Sequence, residues 1–457
     1  MEIPEKLTDE NFVIENNARH VWHPMIDPKM LENNPPIIIS KSDGVYIFNT
    51  EGKKYLDCTA SLWNVNVGHN RPEIKKAIVD QLDKLAYYTT FGNVSNPPSI
   101  SLSALLMEML ELEGMARVLF SSGGSDAVEG ALKIARQFWK LSGKPEKTKF
   151  FSLKNAYHGV HFGGMSVSGG IPWRRSYEPL LPGCFQIDGP YLYRNAWTKD
   201  LEELGEICAG ILAREIEHQG ADTVAAFIAE PVQGAGGMIV PPKSFWPRIR
   251  EVCDKYNILL IADEVVTGFG RTGSMFGCRH WGVKPDIMCL AKGINSGYIP
   301  LGATVVNRRI VEAWDKDDPI APIMHGYTYS GHPLACAAAL ANLKIVTEED
   351  LPKNAELVGS YFLQRLASLS EFETVGDVRG IGLMLAVEFV KNKSSKEPIA
   401  PFDPYLIGIQ KSCWERGVWV RIQANKMIIS PPLIFEKLHV DMAVDVIHSA
   451  LSEHEYR

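Results

Sequence analysis

The sequence predicts an α/β protein: a mainly parallel sheet flanked by helices, joined to a smaller α+β unit. Three observations carry that expectation. Between Val118 and Val306 short apolar runs alternate with segments of helical periodicity. The runs Val224-Ala-Ala-Phe-Ile-Ala229 and Ile258-Leu-Leu-Ile-Ala262 are continuously apolar rather than alternating. That is the pattern of strands buried on both faces, hence of a parallel sheet covered by helices. Third, Val118-Leu-Phe120 runs through the small-residue turn Ser121-Ser-Gly-Gly-Ser125 into Asp126-Ala-Val-Glu-Gly-Ala-Leu-Lys-Ile-Ala-Arg136, whose early acids and later bases suit a helix.

Taken in order, the stretch to about Pro36 mixes charge, proline and aromatics and reads as a short helix plus an irregular arm. Ile37-Ile-Ile-Ser40, Val45-Tyr-Ile-Phe48 and Lys54-Tyr-Leu-Asp57 read as strands separated by Gly44 and by the Asn49-Thr-Glu-Gly52 turn. The α/β stretch follows, with Lys149-Phe-Phe-Ser-Leu153 as a further strand. After His325 the alanine-rich Pro333-to-Leu343 segment predicts a linking helix, and a C-terminal unit starts near Asp350. In that unit Gly380-Ile-Gly-Leu-Met-Leu-Ala-Val-Glu-Phe389 and Trp419-Val-Arg-Ile422 each read as one strand. The expected division is residues 1–60 as an arm and part of the small domain, 61–330 as the large domain, and 331–457 as the linking helix and the rest of the small domain. No internal repeat or low-complexity tract appears.

At 457 residues the chain can bury the cores of two or three domains. A net charge of -7 gives no electrostatic reason to expect nucleic acid or an anionic membrane as partner. The polar opening Met1-Glu-Ile-Pro-Glu-Lys6 lacks the pattern of a secretion signal, and no apolar run reaches bilayer length. Eight scattered cysteines without a CxxC pair disfavour a zinc ribbon and suit reduced thiols. The expectation is a cytoplasmic enzyme without a metal site.

Three apolar runs end in polar side chains: Glu230 after Ala229, Asp263 after Ala262, and Lys292 after Cys289-Leu-Ala291. Ligands of open α/β sheets collect beyond the carboxyl ends of the strands, so neighbouring parallel runs would bring all three together. A lysine able to form a Schiff base and a buried aspartate able to hold a pyridinium nitrogen are what pyridoxal 5'-phosphate requires. The Ser122-to-Ser125 turn at a helix start would receive its phosphate, and it matches neither GxGxxG nor GxxxxGK[ST]. Tyr157, in Asn155-Ala-Tyr-His-Gly159, is a candidate to stack on the ring.

Ser122-Gly-Gly-Ser-Asp-Ala-Val-Glu129, Tyr157-His-Gly159, Glu230-Pro-Val-Gln-Gly234, Ala262-Asp-Glu-Val-Val-Thr-Gly-Phe-Gly-Arg-Thr-Gly273, Ala291-Lys-Gly293 and His325-Gly-Tyr-Thr-Tyr-Ser-Gly-His-Pro333 together resemble the class III pyridoxal-phosphate aminotransferases of fold type I. The resemblance covers nearly the whole chain and implies a seven-stranded large-domain sheet. It implies that Lys292 carries the Schiff base and shuttles a proton, and that Asp263 keeps the ring nitrogen protonated. Val265 and Tyr157 would flank the ring, Gly124 and Ser125 would hold the phosphate, and Glu230 would support the Asp263 region. The partner subunit's Thr328 would reach the same phosphate, so the resemblance implies a homodimer with shared sites, or a dimer of dimers.

Val21-Trp-His-Pro-Met25, Asn34-Pro-Pro36 and Ser61-Leu-Trp-Asn-Val-Asn-Val-Gly-His69 are most similar to the ω-amino-acid:pyruvate branch. There Trp63 would wall the substrate pocket, an aromatic such as Phe91 would enter from the partner subunit, and Arg421 would bind the carboxylate of pyruvate and swing aside for other donors. The implied reaction moves the amino group of taurine, β-alanine or a similar amine to pyruvate, giving alanine and an oxo product by ping-pong chemistry. Diamine, polyamine and diaminopelargonate-type transamination stand as alternatives, although the last group usually carries Ser-Trp-Trp where this chain has Ser61-Leu-Trp63. An aminomutase or racemase on the same scaffold is a further one.

Overall fold

The computed structural model describes residues 10–33, 36–315 and 317–456. The polar opening and the first two residues of the Asn34-Pro-Pro36 motif lie outside the described residues. The large sheet has seven strands: β1 (Met115–Ser121), β2 (Lys149–Leu153), β3 (Cys184–Ile187), β4 (Val224–Ala229), β5 (Leu259–Asp263), β6 (Ile287–Leu290) and β7 (Gly302–Asn307). Their spatial order is β1-β7-β6-β5-β4-β2-β3. The pairs from β6 through β3 are parallel, and β7 alone runs against both of its neighbours.

The continuous apolar runs follow from where alternate residues point. Ala226 and Ile228 of β4, with Leu259 and Ile261 of β5, pack with Ala127, Ala131, Ile134 and Phe138 of helix α1 (Gly124–Leu141) on one face. Phe227 and Ala229, with Leu260, face helices α2 (Leu201–Gln219) and α3 (Phe245–Lys255) through Leu204, Leu212, Phe245 and Trp246. Every residue of β4, β5 and β6 is buried. Each large apolar side chain contributes about 1.5–3 kcal/mol on burial, so packing on both faces holds these three strands and their carboxyl ends in place.

Strands Ile39–Asp43, Tyr46–Asn49 and Lys54–Asp57 form a second sheet, closed by Val418–Trp419 running parallel to Lys54–Asp57. The first begins two residues later than Ile37 and runs on to Asp43. A third sheet has the order Val375–Ile381, Met384–Phe389, Lys426–Ile429, Arg421–Gln423. Val45, Leu56 and Cys58 share one apolar cluster with Phe362, Leu385, Met427 and Val440, so both ends of the chain build one core. Helix α4 (Pro333–Glu348) connects the large sheet to this unit.

Two expected single strands are divided. Gly380-to-Phe389 contains a hairpin corner: Gly382 has φ +56°, and a Cβ there would lie 2.3 Å from the Thr272 carbonyl carbon. Trp419-to-Ile422 switches sheets at Val420, leaving Trp419 beside Asp57 and Arg421 beside Ile428. A uniform run of strand formers does not reveal which neighbour each half will pair with.

Candidate active site

The carboxyl ends of β4, β5 and β6 open on a cavity of about 320 Å³, lined among others by Glu230, Asp263 and Lys292. Register places Asp263 opposite Cys289 and Ala262 opposite Ala229, which sets the three polar residues side by side. Ser122, Gly123, Gly124, Ser125, Tyr157, Val265 and Trp63 line the same cavity.

Lys292 stands in a short 3-10 turn directly after β6, with φ +45°, and its Nζ lies 5.9 Å from the centre of the Trp63 ring. Among the described residues Nζ has no hydrogen-bond partner. Burial lowers its pKa below the usual lysine value, against the opposing pull of Asp263 and Glu230. The amine is therefore easier to hold neutral than a solvated one, which suits a nucleophile and a base.

Asp263 is 4% exposed; its Oδ2 lies 2.7 Å from His158 Nδ1, and its Oδ1 accepts the Val265 N–H at 3.2 Å. His158, itself 1% exposed, leaves Nε2 without a partner among the described residues and is anchored by its backbone N–H donating to Ser168 Oγ. The histidine orients the carboxylate from behind, a role that its place in Tyr157-His-Gly159 does not disclose. Its contact spans 105 positions, and nothing local to either residue signals it.

Glu230 lies near enough to Asp263 for their charges to interact, and among the described residues no hydrogen bond joins the two. Its two carboxylate oxygens accept the N–H of Tyr157 at 3.1 Å and of Gly234 at 2.7 Å, so it fixes the backbone of the Tyr157 wall. Burial, helped by the nearby Asp263 charge, pushes its pKa up to about 7. The Tyr157 ring meets Trp173 edge-on at 5.1 Å, and burial raises its phenol pKa.

Helix α1 starts at Gly124 without a side-chain cap, its first turn facing the cavity. A Cβ on Gly124 would lie 2.8 Å from Val265 Cγ1, so only glycine lets the helix start approach that side chain. Ser125 Oγ accepts the Val160 N–H at 3.1 Å, and Gly159 packs on Ser125 with φ +99°. Trp63 is 6% exposed, with Nε1 unpartnered among the described residues, on a turn where Ala60, Ser61 and Trp63 all have positive φ. Asp57 holds that turn, accepting the N–H groups of Thr59 and Ser61 at 3.0 and 2.9 Å.

Arg421 does not line the cavity, and neither do Phe91 and Thr328, whose expected place is the partner subunit's site. Arg421 lies close enough to Tyr157 for each to bias the other's ionisation, and burial lowers its pKa. Among the described residues its guanidinium has no carboxylate partner. Phe91, 55% exposed, and Thr328, also exposed, sit together elsewhere: Tyr87 Oη donates to the Thr328 carbonyl at 2.6 Å, and a Cβ on Gly326 would lie 3.1 Å from the Phe91 ring.

The donor set fits pyridoxal 5'-phosphate. It offers an unpaired lysine amine, a buried carboxylate for a ring nitrogen, and a glycine-lined helix start for a phosphate dianion. Comparison with known proteins agrees. The family model for class III aminotransferases matches residues 29–451. The putrescine–pyruvate aminotransferase of Pseudomonas aeruginosa is 39% identical over 437 residues, covering 95% of this chain and 94% of that protein. The adenosylmethionine-8-amino-7-oxononanoate aminotransferase of Geobacter sulfurreducens is also 39% identical, covering 95% and 96%. Among solved structures, a PLP-bound amine transaminase from an uncultivated Pseudomonas species is 51% identical with a TM-score of 0.94, covering 95% of this chain and 99% of that one.

Proposed function

The chain belongs to the class III aminotransferases, which depend on pyridoxal 5'-phosphate, and from that premise we propose that it moves the amino group of an ω-amino acid or amine to pyruvate. The observation that carries the pyruvate half is Arg421: a guanidinium partly withdrawn from water beside the Tyr157 wall, with no carboxylate among the described residues to neutralise it. A guanidinium so placed is completed by a substrate carboxylate, which it can grip through two parallel hydrogen bonds. The cavity walls Trp63, Val266, Ile299 and Leu301 are apolar, which suits the carbon chain of an amine.

When bound, the cofactor supplies a protonated ring that accepts the electron pair left on the amine-bearing carbon. Asp263, aligned by His158, holds the proton at the ring nitrogen. Lys292 Nζ, neutral more readily than a solvated lysine, takes the proton from the substrate carbon and returns it. Gly124 and Ser125 at the start of α1 hold the phosphate, and Val265 and Tyr157 confine the ring. Arg421 holds the keto acid by its carboxylate. The exposed cluster of Tyr87, Tyr88, Phe91 and Tyr329 supports a homodimer, into whose opposite site Phe91 and Thr328 reach. Among the described residues no helix is long and apolar enough to cross a membrane, and all eight cysteines are free, which supports a cytoplasmic setting.

The test is a panel of donors (β-alanine, taurine, putrescine, simple primary amines, S-adenosylmethionine) with pyruvate as acceptor, scored by alanine formed. Alanine from an ω-amino acid or amine supports the reading. Turnover of S-adenosylmethionine alone, or of a single substrate without any keto acid, overturns it. Transfer from S-adenosylmethionine is the second reading, favoured by the equal 39% identity to the Geobacter sulfurreducens enzyme, while Leu62 counts against it.

A further inference from the structure

Lys292 and Ser296 both stand in the left-handed region, at φ +45° and +53°. For residues other than glycine that conformation persists only where the surroundings over-determine it. A chain of buried polar side chains does so here. Asn342, fully buried on α4, donates through Nδ2 to the carbonyls of Gly293 at 2.9 Å and Ile294 at 3.0 Å, the two residues after Lys292. Its Oδ1 accepts the Ser296 hydroxyl at 2.6 Å. Ser296 Oγ in turn accepts the N–H groups of Asn66 and Val67 at 3.1 and 3.2 Å. Asn66 Nδ2 donates to the Phe269 carbonyl at 2.9 Å, and Asn66 Oδ1 accepts Arg271 Nη2 at 2.9 Å. Arg271 is wholly buried, and its Nη1 donates to the carbonyls of Leu383 and Pro431 in the C-terminal unit. Gly293 closes the arrangement, since a Cβ there would lie 2.4 Å from Asn66 Nδ2.

We infer that Asn342 is a positioning residue for Lys292: one side-chain amide on the linking helix clamps both carbonyls of the lysine turn and, through Ser296, Asn66 and Arg271, ties that turn to the C-terminal unit. Asparagine is suited because it supplies two N–H donors and an acceptor from one short, rigid group. Loss of the donors leaves two buried carbonyls unpaired, which the turn relieves by moving. The inference rests on the reading of Lys292 as the reacting amine. Asn342 is fully buried and does not line the cavity, so its effect is one of aim.

The test uses Asn342→Leu and Ser296→Ala, with Thr347→Val on the same helix as a control away from the turn. Amide hydrogen exchange of residues 293–296 is followed in the cofactor-free protein, and kcat, KM and bound cofactor are measured in the reconstituted enzyme. In Asn342→Leu exchange should quicken about tenfold, the scale of one lost buried hydrogen bond. Its kcat should fall about 10²-fold, the cost of an amine misplaced by an ångström, with the KM for the amine within about threefold and cofactor content unchanged. Ser296→Ala should move both quantities the same way by less, and it carries the test if Asn342→Leu does not fold. Unchanged exchange at 293–296, or a kcat that falls only in step with cofactor content, or an equal loss in Thr347→Val, would overturn the inference. If the unmodified enzyme transaminates no amine, the functional reading fails, while the exchange rates still decide whether Asn342 clamps the turn.

Discussion

The floor of the cavity and its rim are built on different principles. At the floor, Glu230, Asp263 and Lys292 end three adjacent, fully buried parallel strands, and both carboxylates are held by hydrogen bonds from their own chain. Around it, in what the proposed function makes the rim, Trp63 of the cavity wall rides a turn of positive-φ residues, while Arg421, which opens a three-residue strand, and the outward-facing Phe91 and Thr328 stand outside the lining of this chain's own cavity. The difference separates two jobs. Under the proposed function, groups that serve every substrate are fixed by the core, whereas groups that would choose among substrates sit on short elements that a substrate or a second chain would complete.

Substitutions sharpen that contrast. Removing the amine with Lys292→Ala should lower transamination by at least about 10⁴-fold, the upper range for a general acid–base group, and abolish the Schiff-base absorption band of the reconstituted protein; an unaltered spectrum would refute the assignment. Asp263→Asn keeps the shape but loses the charge at the ring nitrogen. It should cost about 10³-fold in kcat, as for a lost electrostatic contact in a preorganised site, and the loss should be the same for every donor. A loss confined to one donor would blur the floor–rim distinction.

The floor also makes a pH prediction. Glu230, with its pKa pushed up to about 7, keeps in the folded state a proton that the unfolded chain releases near the ordinary carboxylate value. The folded state thus binds more protons between those values, and stability falls as pH rises through that window. The stability of the cofactor-free protein relative to Glu230→Gln should therefore fall by up to about 3 kcal/mol between about pH 5 and about pH 8. A difference that does not change with pH would show that Glu230 is ionised throughout. At the rim, Phe91→Ala should raise KM for bulky amines about threefold, the worth of one aromatic contact, with cofactor binding unaltered.

The same contrast explains what the sequence could reveal. Strand-end residues were readable because a parallel sheet converts chain order into spatial convergence: Glu230, Asp263 and Lys292 needed only the inference that their strands are neighbours. The phosphate turn was readable because strand, small residues and helix are local. His158 and Asn342 were not, because each acts through contacts whose partners lie far along the chain, and Asn342 sits inside an alanine-rich helix that reads as a connector. The break at Val420 was hidden for a related reason. Trp419 pairs with Asp57, far back along the chain, whereas Arg421 pairs with Ile428 just ahead, so a window around residue 420 shows only one of the two partners. The clustering of Phe91 with Thr328 on an exposed face also appears only when the 87–91 and 326–328 segments are seen side by side.

The most direct test of the division between floor and rim is a pair of single-turnover half-reactions, amine with the pyridoxal form and pyruvate with the pyridoxamine form, compared between the unmodified enzyme and Arg421→Ala. The account predicts that the pyruvate half-reaction loses about 10- to 100-fold in kcat/KM, the worth of a charge-assisted hydrogen-bonded pair, while a carboxylate-free amine changes by less than about threefold. Equal losses in both half-reactions would contradict it, because Arg421 would then belong to the machinery that serves every substrate.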